Sequence, residues 1–220
     1  RGNAAAAQMQ NFIYLIGDRD TGECMVVDPA WAVEELLDLV EAEGMKLTGV
    51  LATHYHPDHV GGSMFGFTVE GLPTLMTRTP VPVHCHKLEA QGIQQVTGLE
   101  RSDLVLHDSG DKVSVGDIEI ELLHTPGHTP GSLCFRLQDS LVAGDTLFLQ
   151  GCGRVDLPGG NPEEMFHTLT CRLASLPGHT MLYPGHAYGG EQADFDTVRR
   201  INPYLSAKKE ELRRAMLGGP

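Results

Sequence analysis

Basic residues are scarce in this chain. Against 29 acidic side chains it sets only 16 lysines and arginines, for a formal net charge of −13 over 220 residues. Phosphate recognition needs a basic face, so neither nucleic acid nor an anionic membrane surface is expected as a partner, and the acid excess reads as solubility. Long apolar runs are missing too, which argues against a membrane span. Five cysteines, Cys24, Cys85, Cys134, Cys152 and Cys171, include no CxxC pair. A disulfide framework is therefore not expected, and a reducing compartment fits best. The short Ala4 to Ala7 stretch lacks the apolar centre of a secretory signal, so the expected location is the cytoplasm, or an organelle if a presequence once preceded Arg1.

Histidine, by contrast, is concentrated. Thr53-His54-Tyr55-His56-Pro57-Asp58-His59-Val60-Gly61-Gly62 packs three imidazoles and a carboxylate into six consecutive positions. Neutral imidazole and ionised carboxylate are natural donors for Zn²⁺, Fe²⁺ or Mn²⁺, and no thiolate stands among them to suggest a closed structural zinc. In an extended segment His54 and His56 point to one side and can share a metal. Asp58 and His59, on a turn, can aim elsewhere, so two adjacent metals are possible. Three later segments each place one more donor just past a strand-forming run: His128 in Thr125 to Gly131, Asp145 in Ala143 to Phe148, and His186 in Tyr183 to His186.

In that order the donors make the chain resemble the metallo-β-lactamase superfamily, from about Asn11 to Tyr204. The resemblance implies an α/β fold, the αββα sandwich of two mixed sheets flanked by helices. It implies one domain over residues 1–220, with 191–220 a short helical tail. It makes His54, His56 and His128 the ligands of one metal and Asp58, His59 and His186 those of a second, with Asp145 bridging. Two divalent ions are expected, zinc first, with iron or manganese as alternatives. A water between them would be the nucleophile, and Asp58 would double as its orienting catalytic residue.

The coarse pattern agrees. Asn11 to Ile16 and Glu23 to Val27 read as strands around the Asp18 to Gly22 turn. Val33, Leu36, Leu37 and Val40 recur at helical spacing, and Gly44 stops that helix. Lys46 to Thr53 reads as a buried strand ending where the metal loop begins. Ser63 to Pro80 reads as a loop or short helical turn at the site mouth. Val81 to His84 reads as a strand and Lys87 to Val96 as a helix. A second strand set follows at Leu104 to His107, Lys112 to Val115, Ile118 to Leu123, Leu133 to Leu137 and Leu141 to Ala143. Glu191 to Ile201 and Ser206 to Leu217 complete it as helices.

Two subgroups of the family compete. Gly144 to Phe148 followed by Gly151-Cys152-Gly153-Arg154 is similar to glyoxalase II, a binuclear enzyme that hydrolyses S-acylglutathione thioesters. There Arg154 would hold the glutathione portion through bidentate hydrogen bonds to a carboxylate; the alternative is that Arg154 ties down its own loop. Tyr188 matches the aromatic of a His-x-Tyr seen in both subgroups and is read as a substrate contact. The short tail with Asn202-Pro203 instead resembles the persulfide dioxygenases, in which one Fe(II) would be held by His54, His128 and Asp145 and a glutathione persulfide would be oxidised. Tyr204 stands where those enzymes carry a glutathione-binding arginine. The expected activity is a glyoxalase II-like metallohydrolase acting on a small-molecule thioester or related ester, with the iron dioxygenase as alternative and a non-catalytic metal-binding domain as a third reading. A thiolate leaves without a general acid, which favours a thioester at this site. A homodimer is one option for assembly. His84 and His86 are read as structural, and His124 as bracing a nearby loop or ligand.

Overall fold

Val, Ile and Leu dominate the runs that precede each donor-bearing loop. In the computed structural model, which describes residues 8–64 and 66–206, each of those runs is a strand. β1 (Tyr14–Asp18) and β2 (Glu23–Val27) pair antiparallel, then α1 (Val33–Ala42) crosses over to β3 (Lys46–Leu51), parallel to β2. A single-turn α2 (Pro57–Val60), the hairpin of β4 (Gly62–Met64) and β5 (Phe67–Val69), and α3 (Leu72–Arg78) lead to β6 (Val83–His86), parallel to β3. After α4 (Ala90–Thr97), β7 (Leu104–His107) pairs parallel to β6 and closes a first sheet of order β1-β2-β3-β6-β7, so this run belongs to the first sheet and not to the second strand set expected from the sequence.

The second sheet starts as an antiparallel meander of β8 (Lys112–Val115), β9 (Ile118–His124), β10 (Leu133–Leu137) and β11 (Ser140–Gly144). A small hairpin, β12 (Leu147–Phe148) and β13 (Gly151–Cys152), and α5 (Pro162–His167), which runs on through a π-helical turn over Thr168–Arg172, follow. β14 (Met181–Pro184) returns parallel to β11, β15 (Ala193–Asp194) adds antiparallel, and α6 (Phe195–Ile201) and α7 (Pro203–Ser206) lie beyond it.

Strand alternation sorts the apolar residues into three layers. Ile16, Val27 and Leu51 from the first sheet meet Val115, Ile120, Leu122 and Phe135 from the second in an inter-sheet core. On the outer face of the first sheet, Val26 and Val50 pack with Val33 and Leu36 of α1 and Ile93 of α4. On the outer face of the second, Leu141 and Leu182 pack with Met165, Leu169, Phe195 and Val198. Two mixed sheets between two helical layers make the expected αββα sandwich. No helix among the described residues is long and apolar enough to cross a membrane, and all five cysteines are free.

Several boundaries differ from the sequence expectation. β1 begins at Tyr14, not Asn11, because Asn11 forms an isolated bridge with His186 and turns its side chain into the site. Residues 63–80 are a hairpin plus α3; the hairpin arms are three residues each, too short to show periodicity, and Gly62 and Gly66 at φ 125° and 84° supply the left-handed backbone. β6 runs Val83–His86, two residues later than expected, and α4 starts at Ala90 because Lys87 to Glu89 form a turn. The helix expected from Glu191 starts only at Phe195, where the Asp194 carboxylate caps it by accepting from the Thr197 amide at 2.8 Å. Ser206 to Leu217 lies outside the described residues but for Ser206, which ends α7.

Candidate metal centre

β3 delivers the first group of donors. Past Leu51 the chain bends at Thr53 and is extended at His56 (φ −66°, ψ 141°), then Pro57 at the first helical position fixes the turn that carries Asp58 and His59. Each remaining donor sits beyond the end of a second-sheet strand: His128 after β9, Asp145 after β11 and His186 after β14. Every donor expected from the sequence therefore arrives at one edge of the sandwich.

They arrive as two groups. In the first, His54 Nε2 lies 3.1 Å from His56 Nδ1, and His128 Nε2 lies 2.9 Å from the same nitrogen. In the second, His59 Nε2 lies 3.2 Å from His186 Nε2 and 3.4 Å from Asp58 Oδ2. Asp145 stands between them, with Oδ1 3.3 Å from His59 Nε2, and Oδ2 3.2 Å from His186 Nε2 and 3.7 Å from His128 Nε2. Donors around a tetrahedral ion at about 2.1 Å are separated by roughly 3.4 Å. The spacing matches that polyhedron.

The far nitrogens explain which atoms face inward. His59 Nδ1 donates to Asp28 Oδ2 at 2.8 Å, His128 Nδ1 to the Arg154 carbonyl at 2.7 Å, and His186 Nδ1 to the Met9 carbonyl at 2.6 Å. His54 Nδ1 meets Thr53 Oγ1 at 2.9 Å, and that hydroxyl donates in turn to Asp28 at 2.5 Å. Each bond fixes a tautomer that leaves the Nε2 lone pair free for a cation. Asp28, Thr53 and Glu89 escaped the sequence reading. The one signal for Asp28 was an acid closing the buried run Met25 to Val27; it also holds a left-handed backbone at φ 51°.

The electrostatics ask for positive charge. Burial opposes ionisation of Asp145, yet His59 and His186 outweigh it and hold its carboxyl well below the usual range. Asp58, also buried, is brought down to about 2 by His59. Burial, with the neighbouring imidazoles, pushes His56 down to about 4 and His54 well below its ordinary value, leaving neutral ligands. His59 alone moves up, its burial overcome by Asp145, Asp58 and Asp28. Buried Asp145 Oδ1 has no hydrogen-bond partner. An orphaned buried oxygen, on a carboxylate set between a three-histidine group and an aspartate-two-histidine group, is what a divalent cation satisfies, so the residues fit one.

Around the donors lies a cavity of about 670 Å³. Tyr188 lines it, its ring stacked on His186 at 4.8 Å. Arg154 lines it too, but its guanidinium is held by Asp156 through Nε–Oδ1 at 2.9 Å and a second bond at 2.8 Å. Gly153 admits no side chain, because a Cβ there would collide with the Asp145 carbonyl. Asn11 donates through Nδ2 to the Asp58 carbonyl at 3.0 Å and to Asp58 Oδ2 at 3.2 Å, while its Oδ1 accepts from Trp31 Nε1 at 3.1 Å. Away from the site, His84 pairs with His107 at 2.9 Å, and His124 donates to the Pro130 carbonyl at 2.9 Å, bracing the His128 loop. Among the described residues, the groupings of three or more potential metal donors all lie in the site just described.

Residues 7–186 match the family model described as the metallo-beta-lactamase superfamily. The chain is similar to a hydroxyacylglutathione hydrolase of Rhodospirillum rubrum, 34% identical over 94% of this chain and 74% of that one. It is likewise similar to the mitochondrial persulfide dioxygenase ETHE1 of Homo sapiens, 32% identical over 93% of this chain and 75% of that one. The crystal structure of ETHE1 from Myxococcus xanthus superposes with a TM-score of 0.81, at 31% identity over 97% of this chain and 89% of that one. With the ordered donors, the sandwich and the matched model in agreement, this chain belongs to the metallo-beta-lactamase superfamily.

Proposed function

We propose that this protein is a glyoxalase II-like metallohydrolase that cleaves a thioester. His54, His56 and His128 would hold one divalent ion, Asp58, His59 and His186 a second, and Asp145 would bridge them, with zinc the first choice of metal. The observation that carries this reading is the pair of triads converging on one carboxylate, with Asp145 Oδ1 3.3 Å from His59 and its Oδ2 3.2 Å from His186 and 3.7 Å from His128. When bound, such ions polarise an acyl carbonyl and lower the pKa of water toward neutrality.

The chain's own residues supply positioning. Asp28 and Thr53 fix the His59 and His54 rings, and Asp58, steered by Asn11, presents a carboxylate edge that can orient a water. The described carboxyls that line the cavity, Asp58 and Asp145, are both held ionised, and the Tyr188 phenol, its pKa raised by burial, is one candidate acid to protonate a leaving group. A thiolate needs no such acid, whereas an alkoxide or amide nitrogen does.

One observation favours a second reading, a mononuclear iron persulfide dioxygenase with His54, His128 and Asp145 as ligands. Asn11 aims an amide N–H at Asp58 Oδ2 and lies 3.4 Å from His59 Nε2, where it competes with a cation for the second triad. Elemental analysis of protein purified without chelators or a nickel column separates the two. About two zinc ions per chain with thioester hydrolysis supports the first reading. One iron per chain with oxygen uptake on glutathione persulfide replaces it with the second.

A further inference from the structure

Much of the cavity wall around the donors is apolar. Met9, Met64, Phe148 and Leu157 contribute to it, and the edge-on packing of Phe148 against Tyr188 at 5.3 Å makes one side a continuous aromatic surface. Arg154 is the one lysine or arginine among the described lining residues, and its fork is already filled by both oxygens of Asp156. Asp58 and Asp145 on the floor are metal ligands in the hydrolase reading, so the ions take up their charge and recognition falls to the side chains above them. A carboxylate entering above the ions meets apolar side chains, and it reaches a free guanidinium only by displacing Asp156.

Resting on the hydrolase reading above, we propose that the site takes thioesters with no carboxylate on either side of the scissile bond: an apolar acyl group on a neutral, amide-bearing thiol arm. Glutathione thioesters, with two carboxylates on the thiol side, are the disfavoured class. Met9 and Met64 are flexible and polarisable, which suits them to acyl groups of varied shape. Asp156 is then the specificity-determining residue, because it cancels the cation that would otherwise recognise a carboxylate. Its side chain accepts from that guanidinium and from its own backbone amide, and the Arg154 backbone is anchored separately by His128, so its loss leaves that anchor in place.

The test uses the full metal-loaded chain and one acyl group on two arms, S-hexanoyl-N-acetylcysteamine and S-hexanoylglutathione. The neutral compound is expected to win by at least about tenfold in kcat/KM, with the difference mainly in KM. In Asp156→Ala, turnover of S-hexanoylglutathione should rise several-fold while the neutral thioester is unaffected. Equal rates, or a preference for the glutathione thioester in the unaltered protein, overturn the proposal. Calorimetric binding of the thioethers S-hexyl-N-acetylcysteamine and S-hexylglutathione, which cannot be hydrolysed, separates this inference from the hydrolase reading. Tighter binding of the neutral thioether upholds the specificity even if every thioester is left intact, a result that removes only the hydrolase reading. Tighter or equal binding of S-hexylglutathione overturns the specificity even if thioesters are cleaved.

Discussion

Asp145 is the residue on which both triads depend, because its carboxylate lies within 3.7 Å of donor nitrogens from each group. Asp145→Ala is expected to remove activity by well over about 100-fold, the loss already typical of residues that merely orient a ligand. His56→Ala separates the metal schemes: it opens the first triad of a binuclear hydrolase, whereas a centre built on His54, His128 and Asp145 keeps all its ligands. Equal and mild effects on metal content and turnover for both variants would defeat the whole assignment. Asp28→Asn probes the layer behind the ligands. The amide can still accept from the Thr53 N–H, but it loses the charge that holds the His59 Nδ1 proton. Metal affinity should fall about 10- to 100-fold with the fold intact, measured by competition with a chromophoric chelator.

At the scale of elements, the strands that carry donors were legible because apolar runs end abruptly at a polar loop, as Lys46 to Leu51 ends before His54. What joins those loops was not. Glu89 accepts from the Tyr55 amide at 2.8 Å and from the Gly131 amide at 2.7 Å, tying the His54–His56 loop to the His128 loop across 34 and 42 residues. Backbone contacts at such separations leave no periodic trace in a sequence. Asp28 was hidden for the same reason, and the hairpin at residues 62–69 because its strands are too short to show alternation. Burial raises the Glu89 carboxyl from 4.5 to about 6 despite these bonds. A carboxyl with a higher pKa folded than unfolded binds more protons when folded, so its contribution to stability is complete below about 4.5 and is lost as pH rises through about 6. The unaltered protein should therefore gain about 2 kcal/mol relative to Glu89→Gln between pH 6.5 and pH 4, read from denaturant midpoints of matched metal-free samples. A stability difference that does not vary with pH would mean that Glu89 titrates normally.

At the scale of the molecule, the two sheets meet through one apolar layer, in which Phe135 is fully buried. Truncating it to alanine should cost about 3–5 kcal/mol through lost burial and the cavity left behind. The donors connect the same two sheets a second way. His54 and His56 follow the first sheet and His128 the second; Asp58 and His59 follow the first and His186 the second. An ion in either triad is thus a cross-link between sheets otherwise joined by packing and by hydrogen bonds such as that from Tyr14 Oη to the Pro184 carbonyl at 2.6 Å, and its binding free energy becomes folding free energy. At free metal about 1,000-fold above its Kd, that adds about 4 kcal/mol to the folded state. In a domain of this size 1 kcal/mol moves Tm by about 2–4 °C, so stripping the metal should lower Tm by about 8–16 °C, and re-addition of zinc should restore it. The inter-sheet core predicts that the stripped protein still unfolds cooperatively, at the lower temperature. A Tm that ignores chelation while activity disappears would show that the ions add nothing to the folded state, and their role as a cross-link between the sheets would fall.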